Sequence, residues 1–188
     1  MNIRRIYEYA LQREREGKRF FAENAERLSH AAAASAFRQL AVEDLAGRLV
    51  PFMQEAGVDV NAADLVAVVP LIQERLKTLA EAVDWTDFFF QTDLEYDSKL
   101  LVAKKMDAEG SLAALKQARL VLAALPDFEV ETIDGALRGL AADLGLKVGQ
   151  LLGTIRVAVS GKKVAPPLFE TLSILGRERT VARVDQGI

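Results

Sequence analysis

The sequence predicts an all-α protein. Three observations carry that expectation. Apolar residues recur at three- and four-residue steps along nearly the whole chain, capping residues precede several of those stripes, and no segment shows the strict apolar–polar alternation of a half-buried strand. With 188 residues, 51% apolar and 27% charged, the chain is long enough for one domain or two small ones with a real core.

Residues 3–28 place Ile3, Ile6, Tyr7, Ala10, Leu11, Phe20, Phe21, Ala25 and Leu28 on a helical stripe interrupted by the charged run Arg13 to Arg19. The Ala31–Ala34 run continues or restarts a helix through Phe37, Leu40 and Ala41. Glu43 to Ala56 fits further turns, with Leu45, Leu49 and Phe52 on one face and Gly57 as the stop. Pro51 lies inside that pattern and predicts a kink or a boundary. Asn61 can cap a helix running toward Leu79, striped by Leu65, Val68, Val69, Ile72, Leu76 and Leu79, with Pro70 again signalling a kink or early break. Asp84-Trp-Thr-Asp-Phe-Phe-Phe90 is a compact aromatic knot, read as core, and Gln91 to Lys105 follows as a connector with short helical turns.

Asp107 then caps a long helix carrying Leu112, Leu115, Ala118, Leu120, Leu122 and Leu125, ended by Pro126. Thr132 opens the next, with Ile133, Leu137, Leu140, Ala141 and Leu144 inward and Gly145 as its C-terminal cap. Val148 to Ser160 forms another helix, Pro166-Pro167 opens the one after it, and Gly176 closes that helix before a last one from Arg177. These helices are expected in two layers meeting near the aromatic knot.

Composition narrows the function classes. No cysteine is present, which excludes disulfides and thiolate metal sites and makes a reducing interior the simplest setting. No apolar run reaches the roughly 18 residues of a membrane span, and Met1-Asn-Ile-Arg-Arg-Ile-Tyr lacks the apolar core of a signal peptide, so a cytoplasmic protein without a membrane partner is expected. His30 is the only histidine, no glycine-rich phosphate loop follows a strand, and no catalytic triad can be assembled; neither catalytic residues nor a cofactor are expected.

The formal net charge is −3, but the charge is unevenly placed. Acidic residues dominate from Glu55 to Glu109, opposed by Arg75, Lys77, Lys99, Lys104 and Lys105. From Lys147 to Arg183 the balance reverses: Lys147, Arg156, Lys162, Lys163, Arg177, Arg179 and Arg183 face Glu170 and Glu178. A basic end on an acidic chain can focus a polyanion onto one surface, although a solvated charged face is the plainer alternative.

Two resemblances sharpen this. The segment Glu14-Arg-Glu-Gly17-Lys-Arg-Phe20-Phe21-Ala-Glu-Asn resembles the first helix of ferritin-like, rubrerythrin-related proteins. That likeness implies a metal-ligating role for Glu14, which would need a Glu-x-x-His pair on the second helix. Leu40-Ala-Val-Glu-Asp44-Leu-Ala-Gly47 has aspartate and glycine at the matching place, so no complete metal site is expected and residues 1–36 are read as a scaffold or self-association helix.

From Phe37 onward the chain resembles the anticodon-binding region of bacterial glutamyl-tRNA synthetases. Phe37 to Gly57, Val69-Pro-Leu-Ile-Gln-Glu-Arg75, Phe88-Phe-Phe90 and Lys104-Lys-Met106 follow the family's order. Leu144-Gly-Leu-Lys-Val-Gly-Gln-Leu-Leu-Gly-Thr-Ile-Arg156 and Ala165-Pro-Pro-Leu168 complete it. The resemblance implies a multi-helix cage of the class I synthetase anticodon-binding type, with a first subdomain at 37–105, a second at 106–188, and glutamate tRNA as partner. It assigns base contacts to Arg75, Arg156, Pro166 and Leu168. Ala165 stands where the best-known member has threonine, and Gly153-Thr154 replaces the proline usual before Ile155-Arg156.

Single-stranded loop bases expose edges that a planar guanidinium can both bond and stack upon. Lys147, Lys162, Lys163, Arg177 and Arg179 are expected on the backbone phosphates, which give affinity without sequence information. The nucleotide-binding fold and its motifs are missing from these residues, so charging would need a separate catalytic partner. The alternatives are a helical structural or interaction protein that has lost RNA binding, including a gene-fusion or truncation product, and a ferritin-like metal-binding protein.

Overall fold

The computed structural model describes residues 12, 13, 15–17, 19, 20, 23 and 31–188. The described residues before Ala31 are helical and carry exposed pairs one turn apart, Arg13 with Glu16 at 3.5 Å and Arg19 with Glu23 at 3.7 Å. Glu14 and His30 lie outside the described residues, as do most of the expected N-terminal stripe positions.

The contacts divide the chain into two compact units, residues 1–84 and 85–188. This partition falls before the 105/106 division suggested by the sequence, because the connector belongs to the second unit: its 3-10 turn at Ser98–Leu101 packs on helices that follow it. No strand occurs among the described residues.

In the first unit, α1 (Ala31–Glu55) packs on the short helices α2 (Ala62–Val66) and α3 (Val69–Ile72). Its fully buried stripe is Ala46, Leu49 and Met53, one position off the expected Leu45–Leu49–Phe52 face, whose outer members are only half-buried. Pro51 sets no boundary, for α1 runs through it. The carbonyl that loses its donor is that of Gly47, four residues earlier, and both positions are exposed, so water can take the place of the missing N–H. Past Gly57 the chain turns back, with the Val58 N–H donating to the Met53 carbonyl at 2.9 Å.

Asn61 does cap the next helix: its Oδ1 accepts from the N–H groups of Ala63 and Asp64 at 2.8 and 3.2 Å, and Asp64 Oδ2 accepts from the Asn61 N–H at 2.8 Å. The helix nevertheless stops at Val66 instead of running toward Leu79. Pro70 has no N–H to give the Val66 carbonyl, and it is accommodated instead in the first turn of α3. Leu65, Val68, Val69 and Ile72 are still buried, so the stripe survives the break.

A further helix, α4 (Glu81–Thr86), leads into the 3-10 turn Asp87–Phe89. Phe88 and Phe89 are core residues, as expected, with ring centroids 4.3 Å apart. The rest of the second unit is a bundle of α5 (Ala108–Ala124), α6 (Val130–Asp143), α7 (Val148–Ser160) and α8 (Leu168–Gln186), each packed on the other three. Leu115, Leu122, Ile133, Leu137, Leu151, Ile155 and Leu172 meet at its centre, each with at most 1% of its surface exposed.

Most of the expected start and stop signals of these helices operate, but Thr132 does not open α6, which begins two residues earlier at Val130 after an uncapped Glu129. Asp107 Oδ1 accepts from the Gly110 N–H at 2.7 Å, and a Cβ on Gly110 would sit 2.9 Å from that oxygen, so the glycine makes room for the cap. Asp107→Ala should cost about 1 kcal/mol, read as an earlier denaturant midpoint with an unchanged slope. Glycines at positive φ, Gly145 and Gly161, follow α6 and α7. At Gly176 the backbone leaves the helix (φ 75°, ψ 165°), so α8 is two helical segments joined at a kink, in keeping with the expected closure there.

Candidate nucleic-acid interface

The expected base-contacting residues of the second unit converge on the corner between α7 and α8. Alternation of Leu151, Ile155 and Ala158 into the core leaves Arg156 half-buried on the rim of α7. Its Nη1 donates to the carbonyls of Ala165 and Pro166 at 3.1 and 2.7 Å, fastening the guanidinium to the loop that enters α8. Ser160 Oγ ties the same loop at its other end, donating to the Arg156 carbonyl at 2.7 Å and accepting from the Lys162 N–H at 3.2 Å. The loop between the two helices is thereby closed on itself by a side chain that approaches from each end.

Pro166 and Leu168 belong to this corner, but their side chains are buried, Leu168 at 4% exposure. Pro167 precedes α8 without a side-chain cap, and the Thr171 hydroxyl and N–H both donate back to the Pro167 carbonyl, at 2.7 and 3.0 Å. One residue beyond Leu168, the half-buried Phe169 lies beneath the Arg138 guanidinium, 5.8 Å from the ring centroid, and Arg138 Nε is paired with Asp134 Oδ1. Sequence reasoning did not single out Arg138 or Phe169, because their apposition joins residues from different helices.

The basic residues expected on phosphates divide into two kinds. Lys147 and Lys163 are exposed. Lys162 is drawn inward, its Nζ 2.6 Å from Asp87 Oδ1 on the aromatic turn. Arg179, though exposed, donates from Nη1 to the Phe89 carbonyl at 2.7 Å, and Arg177 stands 5.8 Å from the centre of the Phe128 ring. Arg75 is exposed in the turn after α3 of the first unit, its N–H bonded to the Ile72 carbonyl at 2.7 Å.

Arg183 departs furthest from its apparent character. It reads as one more surface cation, yet only 1% of it is exposed. Nη1 donates to the Val159 carbonyl at 2.7 Å, and Nη2 to the carbonyls of Phe88 and Gln91 at 2.6 and 2.7 Å, while Nε is buried without an acceptor. No carboxylate among the described residues is within ion-pair distance. The charge is met by carbonyl dipoles, Val159 lying in the last turn of α7 where the helix dipole is negative. Burial, and then the neighbouring Arg179, pushes the guanidinium down to about 10, so it stays charged near neutrality. The one sequence signal was its spacing: Thr180, Arg183 and Val184 share a helical face, and all are buried.

Residues 44–188 match the model of a family described as the anticodon binding domain. The chain belongs to that family. This anticodon binding domain is 44% identical over 157 residues to the glutamate–tRNA ligase of Roseiflexus castenholzii, covering 80% of this chain and 31% of the relative. It is also 44% identical over 156 residues to the ligase of Dehalococcoides mccartyi (strain ATCC BAA-2100), covering 80% and 32%. The chain thus spans about a third of the length of these relatives. The fold is shared with the crystal structure of a glutamate tRNA ligase from Elizabethkingia meningosepticum, with a TM-score of 0.65 and 21% identity, covering 84% of this chain and 32% of that one. The order of motifs expected from Phe37 onward is borne out across the matched region. The family match begins at Asp44 and leaves the ferritin-like likeness of the first helix untouched.

Proposed function

We propose that the chain is a non-catalytic RNA-binding module that takes a tRNA anticodon loop, of the glutamate type, at the α7–α8 corner. The observation that carries this reading is the fastening of Arg156 to the Ala165 and Pro166 carbonyls. A half-buried guanidinium held in one orientation loses little freedom when it meets a base edge, so binding retains more of its hydrogen-bond energy. Family membership supplies the context. Arg138 over Phe169 offers a flat cationic surface nearby, on which an unstacked base can rest. Pro166 and Leu168, both buried, support the corner from within, Pro166 by lending its carbonyl to Arg156. Lys147 and Lys163 supply phosphate contacts, joined by Arg177, Arg179 and Lys162 where their internal bonds can be shared or exchanged; Arg75, in the first unit, is read as a base contact of that unit taken by itself. Charging would need a catalytic fold that these residues do not contain.

Titration with glutamate tRNA and a non-cognate tRNA at several salt concentrations tests the reading. Arg156→Ala should lower affinity for the cognate by about 1–3 kcal/mol and erase most of the preference. Absence of binding by the wild type at low salt would overturn it.

A second reading, a helical interaction protein without RNA affinity, is favoured by the inward bonding of Lys162, Arg179 and Arg183, which withdraws charge from the basic end. No binding of either tRNA even at low salt would support it.

A further inference from the structure

Among the described residues Arg183 is the only buried charged side chain, and the RNA reading leaves it unused. Its three carbonyl bonds join the C-terminus of α7 to the aromatic turn and to the segment just beyond that turn. From the same turn, Asp87 holds Lys162 in the loop. The end of α7 and the loop that follows it are therefore each tied to residues 87–91, the first by the buried Arg183 and the second by Lys162. Ser160, between Val159 and the loop, links this brace to the Arg156 carbonyl.

We propose that Arg183 is a positioning residue for RNA recognition: by clamping Val159, Phe88 and Gln91 it sets the end of α7 from which Arg156 is presented, without touching RNA itself. This rests on the reading that the Arg156 corner binds RNA. The guanidinium suits the task because its two outer nitrogens point in fixed directions, one toward α7 and one toward the aromatic segment. A lysine would keep the charge and lose the fork.

The test is Arg183→Lys in the full chain, titrated with glutamate tRNA and a non-cognate tRNA across a salt series, with helical content checked by circular dichroism. The folded variant should lose cognate preference by about tenfold or more, the size of one lost base contact, while its salt slope matches the wild type because no phosphate contact is removed. Retained preference overturns the proposal. So does a slope reduced by about one, the mark of a direct phosphate contact. Should Arg183→Lys not fold, Asp87→Asn carries the decision through the other half of the brace: lost preference at an unchanged slope supports positioning, and retained preference overturns it. If the wild type itself shows no preference, it is the RNA reading that fails. Clamping is then judged by amide exchange in the free protein, where Arg183→Lys should speed the amides of residues 161–165 about tenfold with those of α5 unchanged; unaltered loop exchange overturns it.

Discussion

Arg183→Met should destabilise the second unit by on the order of 3 kcal/mol. Methionine comes close to the volume of the buried stem, so the loss does not arise mainly from a cavity. It arises from the carbonyls of Val159 and Phe88, left buried without their donor, while the exposed Gln91 can turn its carbonyl to water. A buried polar group without a partner costs roughly 1–3 kcal/mol, and relief from desolvating a cation returns part of the sum. For a unit of this size the change corresponds to a melting temperature lower by about 10–20 °C. Thermal unfolding followed by circular dichroism measures it, and an unchanged melting temperature would mean that water satisfies the three carbonyls as well as the guanidinium does.

Gly176→Ala should cost about 1–3 kcal/mol, and for a different reason. A Cβ at this position meets nothing within 4 Å, so there is no clash with the surroundings. The cost is torsional: at φ 75° and ψ 165° a side chain collides with its own backbone. Gly139→Ala is the internal control, a helical glycine of α6 whose Cβ would also meet nothing within 4 Å. That replacement should stabilise by about 0.4–1 kcal/mol through the unfolded chain. Opposite signs in urea midpoints, at equal slopes, establish that Gly176 is selected by geometry and not by space; two changes of the same sign would refute it.

The local grammar of the helices was legible in the sequence because it is written in neighbouring residues. Asn61 and Asp107 bond donors two or three positions away, and Gly57, Gly145 and Gly176 stand where the chain must change direction. Pro51 and Pro70 carry the same local information and have opposite outcomes. One faces solvent within a 25-residue helix that carries it, while the other ends a five-residue helix with little to oppose it. The nearness of Arg156 to Ala165 and Pro166 was the readable part of the candidate site, because these partners lie nine and ten residues on. It was illegible at Lys162, Arg179 and Arg183, whose partners lie 75 to 95 residues away on the aromatic turn and beyond. Nothing in a run of cations says which of them a distant carbonyl or carboxylate will claim. The burial of Leu168 and Pro166 was hidden likewise, since it depends on how α8 docks.

The clamp around Arg183 also has a place in time. Its bonds span 24, 92 and 95 residues, and in each case Arg183 is the later partner to leave the ribosome. Helices α5, α6 and α7 can form and begin to pair as they emerge, yet the Phe88 and Gln91 carbonyls wait for their donor until α8 has been made. During that interval the aromatic turn and the end of α7 are joined through Asp87 and Lys162, without the buried clamp. The clamp is thus among the last contacts the second unit acquires as it is synthesised.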